Sequence, residues 1–266
     1  MQPLTLSLIQ TQTHWHDSAA NMAMFDRWFT ELPESADIVV LPEMFSTGFT
    51  MHSNDVAQPM SGPTVEWLKA AAGTLNKVVC GSIVIVEDDR HYNRFLWVTP
   101  GGELCVYDKR HRFRMAGEHD HYDAGNKRLI VTVGDWKICP MVCYDLRFPV
   151  WFRNRGDYDV LLCVANWPAA RLEAWSTLLR ARAIENQSYA LGVNIIGEDG
   201  NSVAYRGGTV AYNPEGEVLV QADDQAGIFT VELDKEYLDR YRAAFPAWQD
   251  ADNYRLVDEH ESTDQA

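Results

Sequence analysis

The chain has 266 residues, of which 46% are apolar and 23% are charged, proportions typical of a globular protein. Its formal net charge of −15 argues against a nucleic-acid or anionic-membrane partner, because phosphate binding requires clustered Lys and Arg. No segment approaches the roughly 20 consecutive apolar residues of a membrane helix, and the N-terminus lacks the basic region of a signal peptide.

The first half of the chain alternates short apolar runs with helical patterns. Apolar residues recur at helical spacing over residues 22–32, after the potential caps Asp17 and Ser18. A second helix has Pro63 in its first turn, where proline is favoured. Short runs with strand character predict strands at 4–9, 37–41, 78–86, 94–98 and 104–107.

The second half continues this alternation. A helix rich in Ala, Leu and Arg is predicted at 172–187, with Trp175 and Ile184 on its apolar side. The turn residues at 213–216 predict a hairpin. Strands are predicted at 129–133, 137–142, 160–165, 189–195, 209–212, 217–220 and 228–231.

Strands interleaved with helices predict an α/β domain in which helices cover the faces of mixed sheets. No internal repeat, low-complexity tract or linker interrupts the sequence, so we expect a single domain over residues 1–250. The polar end, residues 251–266, is predicted to be a tail that packs loosely or serves an interface. Two sheets stacked between helical layers accommodate this many strands, but the pattern alone leaves other arrangements open.

The chain has five cysteines, an odd number at wide spacing. None forms a C-x-x-C pair, so neither a thioredoxin-type redox motif nor a zinc knuckle is indicated. Together with the absence of an export signal, this pattern predicts reduced thiols in a cytoplasmic protein.

Three polar residues share an unusual placement, because Glu43, Lys109 and Cys143 each follow an apolar strand run. Loops at strand ends converge above the sheet of an α/β fold, so this placement favours a shared active site. Taken singly, each residue has an ordinary interpretation as a core or loop residue. The motifs of α/β-hydrolases, P-loop NTPases and dinucleotide-binding enzymes are absent.

The sequence around these residues resembles three motif blocks of the nitrilase, or carbon–nitrogen hydrolase, superfamily, in the order and rough spacing of that family. The blocks are L-P-E-M-F at 41–45, Y-D-K-R-H at 107–111 and V-C-Y-D-L-R-F-P at 142–149. Further matches are G-E-H at 117–119, N-W-P at 166–168 and R-A-R-A-I-E-N-Q at 180–187. The resemblance extends from the first strand to about Leu233 and is strongest with the bacterial omega-amidase branch.

This resemblance implies a four-layer α-β-β-α sandwich, in which two mixed β-sheets are flanked by helices, usually paired into a homodimer through helices. It also implies hydrolysis of a small-molecule amide through a Cys thioester, without a cofactor or metal. The expected substrates are the omega-amides of short 2-oxo dicarboxylic acids, such as 2-oxoglutaramate and 2-oxosuccinamate.

The chemistry of amide hydrolysis requires a strong nucleophile, a proton shuttle and a group that stabilises the oxyanion. By resemblance, Cys143 attacks, Glu43 takes the thiol proton and later delivers one to ammonia, and Lys109 supports the oxyanion. Glu118 matches a second family glutamate that orients Lys109 or shapes the pocket. The backbone N–H of Tyr144 is the expected second oxyanion donor, provided that a tight turn follows the strand.

Candidates for substrate binding lie next to these motifs. Phe45 and Trp167 are candidates to wall a small pocket. Arg114 and Arg147, with Arg112, are candidates to hold a substrate carboxylate, because guanidinium binds carboxylate bidentately. The alternative for each is packing in the core or pairing with an acidic residue.

The segment that contains His119 and His121 offers a competing interpretation as a metal site. With His111 and Asp123 it contains enough donors, and alternate residues of a strand project to one face. Nearby arginines would oppose a bound cation, and the family resemblance already accounts for Glu118. A loop that lines the mouth of the active site is therefore the favoured interpretation.

Two alternative functions stay open. Another hydrolase of the superfamily, such as an N-carbamoyl amidase or a nitrilase, would use the same site. A non-catalytic member that binds a metabolite is the second alternative, and replacement of a triad position would favour it. Glu43, Lys109 and Cys143 are all present.

Overall fold

The computed structural model describes residues 2–256, which contain two six-stranded mixed sheets. The strands of the first sheet are β1 (Leu4–Gln10), β2 (Ile38–Val40), β3 (Val78–Glu87), β4 (Arg90–Val98), β5 (Leu104–Asp108) and β14 (Gly227–Leu233). Their order is β14-β1-β2-β3-β4-β5. β1, β2 and β3 run parallel, and the outer strands pair antiparallel with their neighbours.

The second sheet repeats this mixed pattern. Its strands are β6 (Val131–Val133), β7 (Trp136–Val142), β8 (Val160–Val164), β9 (Tyr189–Val193), β12 (Val210–Tyr212) and β13 (Val218–Gln221). Their order is β13-β12-β9-β8-β7-β6, with β7, β8 and β9 parallel. A separate antiparallel pair consists of β10 (Ile196–Glu198) and β11 (Ala204–Arg206).

Over residues 2–256, six α-helices accompany the sheets: α1 (Ser18–Phe29), α2 (Ser53–Val56), α3 (Pro63–Leu75), α4 (Glu118–His121), α5 (Leu172–Asn186) and α6 (Lys235–Ala244). The sequence places their starts. Asp17 caps α1 by accepting a hydrogen bond from the backbone N–H of Ala20 at 2.9 Å. Pro63 occupies the first turn of α3, where its missing N–H costs no hydrogen bond.

Alternation along the strands produces the layers. In β1, Leu4 and Leu8 belong to the apolar core that joins the two sheets, whereas Ile9 packs with α1 and α3 on the outer face. On the far side, α5 packs so closely on β9 that a Cβ at Gly192 would lie 2.4 Å from Leu179 Cδ1. The predicted α-β-β-α sandwich is confirmed.

Several elements have no counterpart in the sequence-based prediction, and α6 is the longest of them. The sequence of α6 is largely polar and buries only Leu238, so its apolar periodicity is too weak to predict a helix. The predicted strand 189–195 instead ends at Val193, and β10 follows as part of the small hairpin. This hairpin proves important because it forms one wall of the cavity described below.

The apolar side predicted for α5 is partly wrong. Trp175 and Leu179 are buried, but Ile184 is 48% exposed. The inward face of the helix also carries Arg182, which is buried and donates to the backbone oxygen of Leu146 at 2.7 Å. Arg182 is accommodated on the buried face because its guanidinium has a hydrogen-bond partner there. Ile184, which the apolar pattern placed on that face, points to solvent instead.

The C-terminal end lies partly beyond the described residues. Residues 251–256 form no helix or strand, and the Arg155 guanidinium lies 4.4 Å from the ring centre of Tyr254. Residues 257–266 of the predicted tail lie outside the described part, so the domain boundary at residue 250 stays a prediction. Within residues 2–256, no helix combines the length and apolarity needed to cross a membrane.

Candidate active site

Glu43 lies in the loop after β2, and its buried carboxylate is held from both sheets. Oε1 accepts hydrogen bonds from Asn93 Nδ2 of β4 at 2.8 Å and from Lys109 Nζ at 3.0 Å. Oε2 accepts from the backbone N–H of Asn166, which follows β8, at 2.8 Å. The Asn166 side chain also donates to the backbone oxygen of Glu43 at 2.7 Å. These bonds fix the orientation of the carboxylate before any substrate arrives.

Lys109 directly follows β5 and is buried between two carboxylates. Its ammonium lies 3.0 Å from Glu43 Oε1 and 2.8 Å from Glu118 Oε1. Burial by itself would lower the pKa of Lys109, but the negative charges of Glu118 and Glu43 outweigh it and raise the pKa well above its usual value. Lys109 therefore remains an ammonium group.

Glu118 begins the short helix α4 and is fully buried. Both of its carboxylate oxygens accept from Lys109 Nζ, at 2.8 and 3.0 Å, and Oε2 also accepts from the backbone N–H of Phe113. Burial raises the pKa of Glu118, and the neighbouring Lys109 charge opposes that rise. Glu118 thus anchors the ammonium group on the side opposite Glu43.

Cys143 directly follows β7, in a backbone conformation that few side chains adopt. Its φ of 47° lies in the left-handed region, and residues Cys143–Arg147 form a 3-10 helix. The tight turn expected before Tyr144 is thus present. The Cys143 sulfur lies 3.9 Å from the backbone oxygen of Asn166. Burial, followed by the Glu43 charge, raises the pKa of the Cys143 thiol well above its usual value, so the resting thiol keeps its proton.

A cavity of about 400 Å³ opens above these groups. It is large enough for a short acyl chain with a terminal amide. Lys109, Cys143 and Asn166 line its inner end, which we call the cavity floor together with the buried Glu43 and Glu118. The cavity mouth comprises the outer lining residues Phe49, Met51, His52, Phe113, Met115, Ala116, Tyr144, Arg147, Trp167, Pro168, Arg171, Asp199, Asn201, Val203 and Tyr205.

Two of the proposed substrate-binding residues, Arg147 and Trp167, lie at the cavity mouth. The Arg147 guanidinium lies 4.9 Å from the ring centre of Trp167, a cation–π arrangement. The Trp167 ring is itself anchored, because Nε1 donates to the backbone oxygen of Arg171 at 2.8 Å. Both residues are therefore positioned to contact a ligand in the cavity.

The prediction that Phe45 walls the pocket is wrong. Its ring is fully buried in the core beneath α1 and α3, 5.6 Å from the ring centre of Phe25 and 5.9 Å from that of Trp67. Met44 has a φ of 41°, so the chain turns between Glu43 and Phe45. This turn directs the carboxylate and the phenyl ring to different places.

The prediction for Arg114 is also wrong. Arg114 is exposed and is not part of the cavity wall, although the next residues, Met115 and Ala116, line it. Arg112 has a structural role, because it donates to the backbone oxygen of Tyr122 at 3.1 Å. The alternating arginines at 110, 112 and 114 do not indicate by their spacing which side chain faces the cavity.

Sequence reasoning missed Arg171 and the hairpin residues of the cavity mouth. Arg171 ends a 3-10 turn directly after the N-W-P segment, and its guanidinium lies 5.4 Å from the ring centre of Phe113. On the hairpin, the Tyr205 hydroxyl donates to Asp199 Oδ2 at 2.9 Å. Arg171 could have been predicted from its position three residues after the N-W-P match at 166–168. No motif in the sequence indicated that the hairpin residues line the cavity.

The donors of the competing metal site do not converge. His119 and His121 lie on the helix α4, where residues two apart do not share a face. His111 is bound instead to Asp145, with 2.8 Å between Nδ1 and Oδ1. Within residues 2–256, no three His, Cys, Asp or Glu side chains are grouped so that they could hold a metal ion.

Comparison with known proteins places this site in a family context. A family model described as carbon-nitrogen hydrolase matches residues 5–243. Omega-amidase YafV of Escherichia coli (strain K12) is 49% identical over 259 residues, covering 96% of this chain and 100% of that protein. The 2-oxoglutaramate amidase of Bacillus subtilis (strain 168) is 29% identical over 251 residues, covering 92% and 96% of the two chains.

A solved structure shows the same fold. XC1258 from Xanthomonas campestris is described as a CN-hydrolase superfamily protein with an arsenic adduct in the active site. It matches with a TM-score of 0.95 and 43% sequence identity, covering 97% of this chain and 100% of that chain.

Proposed function

The chain belongs to the carbon–nitrogen hydrolase family, and from that membership and its site we infer that it is an omega-amidase. It hydrolyses the omega-amides of short 2-oxo dicarboxylic acids, of the 2-oxoglutaramate type, to the 2-oxo acid and ammonia. The carrying observation is near full-length similarity to proteins named omega-amidase and 2-oxoglutaramate amidase. These names favour this activity over that of an N-carbamoyl amidase, a nitrilase or a non-catalytic binding protein.

Acylation begins at Cys143. As the sulfur attacks the amide carbon, the thiol proton passes to Glu43, whose carboxylate is held by bonds from both sheets. The charge that develops on the carbonyl oxygen is stabilised by the Lys109 ammonium and the backbone N–H of Tyr144. Glu43 then returns the proton to the nitrogen, and ammonia leaves as the thioester forms.

Deacylation reuses the same groups. Glu43 accepts a proton from a water molecule, which attacks the thioester carbon, and Lys109 again faces the oxyanion. Collapse of this intermediate breaks the carbon–sulfur bond, and the proton returns to the Cys143 sulfur. The products are a carboxylic acid and the free thiol.

The balance of charge at the cavity floor supports this order of events. With both carboxylates ionised, Glu43, Glu118 and the Lys109 ammonium sum to one negative charge. Loss of the Cys143 proton to solvent would add a second negative charge in a buried site, which is costly. Transfer of that proton to Glu43 leaves the total unchanged, so proton transfer during attack is the less costly route.

Two arginines at the cavity mouth support recognition of the substrate carboxylate. Arg147 and Arg171 both line the cavity. Among residues 2–256, neither guanidinium is paired with a carboxylate; Arg147 lies over Trp167, and Arg171 lies over Phe113 and donates to the Met115 sulfur at 3.7 Å. A guanidinium supported by an aromatic ring keeps its donors free for a bidentate carboxylate bond.

We also propose a cytoplasmic homodimer. The apolar side chains of Ile184 on α5 and of Val218 and Leu219 on β13 are exposed. The turn that leads into β13 lies beside α5, because a Cβ at Gly216 in that turn would lie 2.7 Å from Ile184 Cδ1. Such a patch is suited to a subunit contact. Light scattering of the wild type and Ile184→Glu tests the dimer.

All five cysteines are unpaired thiols, as expected in a reducing compartment.

A panel of amides tests the activity. We expect ammonia release from 2-oxoglutaramate and 2-oxosuccinamate, and much less from glutamine, asparagine, a simple nitrile or an N-carbamoyl amino acid. Intact-mass measurement with a slow substrate should show an acyl adduct on a Cys143 peptide, absent in Cys143→Ala and present in the matched control Cys105→Ala. Preference for glutamine, or turnover by Cys143→Ala, would contradict the proposal.

A further inference from the structure

Asp145 is a buried carboxylate that none of the steps above uses. It lies two residues after Cys143, is fully buried and does not line the cavity. We propose that Asp145 is a positioning residue that holds the nucleophile Cys143 and the oxyanion cation Lys109 in register across the two sheets. This inference rests on the proposed roles of those two residues.

One set of contacts connects Asp145 to the nucleophile turn. Asp145 Oδ2 accepts a hydrogen bond from the backbone N–H of Val142 at 3.1 Å. Val142 is the last residue of β7 and directly precedes Cys143. The carboxylate therefore closes a ring around Cys143 and restrains the left-handed backbone on which the thiol is presented.

A second set of contacts connects the same carboxylate to the lysine strand. Oδ2 also accepts from the Tyr107 hydroxyl at 2.7 Å. Oδ1 accepts from the backbone N–H of His111 at 3.0 Å and lies 2.8 Å from His111 Nδ1. Tyr107 and His111 lie two residues before and two residues after Lys109, so Asp145 holds the chain on both sides of the ammonium-bearing residue.

The contacts around the carboxylate make this link rigid. The Tyr107 hydroxyl also accepts from the backbone N–H of Arg110 at 3.2 Å, which shapes the turn after Lys109. The His111 ring stacks on Phe148, with ring centres 4.0 Å apart and planes 8° apart. Charge-assisted hydrogen bonds are shorter and more directional than apolar contacts, so they define position more tightly.

The contacts of Asp145 extend beyond those needed to stabilise the turn after β7. The bond to Val142 alone would suffice to brace the turn after β7. The bonds to Tyr107 and His111 instead cross to the first sheet, on either side of Lys109. Because a displacement of about 1 Å between reacting groups costs about 10²-fold in rate, a direct hydrogen-bonded link has a kinetic consequence.

Two variants and a matched control test the proposal. Asp145→Asn replaces one acceptor oxygen with a donor, so either the Val142 or the His111 backbone N–H loses its partner. We expect its kcat for 2-oxoglutaramate to fall about 10²-fold, with KM changed less than about threefold. Tyr107→Phe removes the hydroxyl and is expected to lower kcat by about tenfold. The rate at which iodoacetamide alkylates Cys143, followed by peptide mass spectrometry, should fall in both variants.

Tyr158→Phe is the control, because it deletes another buried tyrosine hydroxyl of the same core, which donates to the backbone oxygen of Phe152 at 2.6 Å. It should lower the melting temperature but leave kcat and alkylation unchanged. If Tyr107→Phe and Tyr158→Phe lose melting temperature alike and both keep wild-type kcat, Asp145 is only structural and the proposal is overturned. Cys143→Ala distinguishes failure of the Asp145 proposal from failure of the proposed function. If Cys143→Ala still hydrolyses 2-oxoglutaramate, Cys143 is not the nucleophile.

Discussion

The cavity floor and the cavity mouth treat charge in opposite ways. At the floor, the buried carboxylates of Glu43 and Glu118 are each bonded to the buried Lys109 ammonium, at 3.0 and 2.8 Å. At the mouth, Arg147 and Arg171 lie over aromatic rings and, within residues 2–256, have no carboxylate partner. An unpaired charge is costly when it is buried, whereas a charge near solvent is stabilised by water until a ligand binds. This difference in pairing is why we assign the chemistry to the floor and substrate selection to the mouth.

The sharpest division between the two regions should come from Glu43→Gln. Glutamine keeps the shape of the side chain but cannot accept the thiol proton, so we expect kcat to fall about 10³-fold with KM nearly unchanged. Steady-state ammonia release measures both constants. The matched control is Glu66→Gln, an exposed glutamate paired with Lys69. A kcat within tenfold of the wild type would show that another base serves the floor.

Glu118→Gln should give the next largest effect, because it loosens Lys109 without touching the proton shuttle. We expect kcat to fall about 10²-fold. The Glu118 charge raises the pKa of Lys109, so its removal lowers that pKa. Lys109 acts as the ammonium form present below its pKa, so the alkaline decline in activity should begin at lower pH in the variant. A pH–rate profile with an unmoved alkaline limb would contradict this role.

Substitutions at the mouth should change binding rather than turnover. Arg171→Ala and Arg147→Ala each remove a charged donor, which corresponds to a rise in KM of about 10- to 100-fold for 2-oxoglutaramate with little change in kcat. Butyramide, an amide without a carboxylate, should be indifferent to both changes. Arg114→Ala is the control, since this arginine is exposed and lies off the cavity wall. An equal rise in KM for butyramide would show that these arginines do not act through the substrate carboxylate.

Met115→Ala should give the smallest effect and so sharpens the outer boundary of the mouth. Met115 is 73% exposed at the outer rim of the cavity, and its sulfur lies 3.7 Å from an Arg171 nitrogen. Loss of this weak contact should raise KM by no more than about threefold and leave the melting temperature unchanged. A larger rise, measured alongside Arg171→Ala, would mean that the side chain contacts the substrate directly.

The residues of the floor were within reach of sequence reasoning, although their contacts were not. Glu43, Lys109 and Cys143 each follow a strand whose apolar run is visible in the sequence, and the loops at strand ends are where α/β folds place their sites. The pairing of the two glutamates with one ammonium depends on how the ends of β2 and β5 meet the helix α4, and no local pattern contains that arrangement. The same is true of Asp145, whose partners Tyr107 and His111 lie more than 30 residues earlier in the chain.

Residues of the cavity mouth were harder to predict from sequence, and the wrong predictions have a physical cause. Phe45 was placed in the pocket because it is two residues from Glu43, but the left-handed backbone of Met44 turns its ring into the core. Arg114 and Arg171 are both arginines near motif residues, and only the folded loops decide that Arg171 faces the cavity. The side-chain direction in an irregular segment follows from single backbone torsions, which composition and spacing do not specify.

By itself, the sequence determined the alternation of strands and helices, the three strand-end residues and the family that they resemble. These are local properties, since burial periodicity and short motifs are written in consecutive residues. The folded chain was needed to show which strands are neighbours, which arginines line the cavity and which carboxylate connects the segments of Lys109 and Cys143. Those features require residues far apart in the chain to be brought within hydrogen-bonding distance, and packing of the two sheets is what does so.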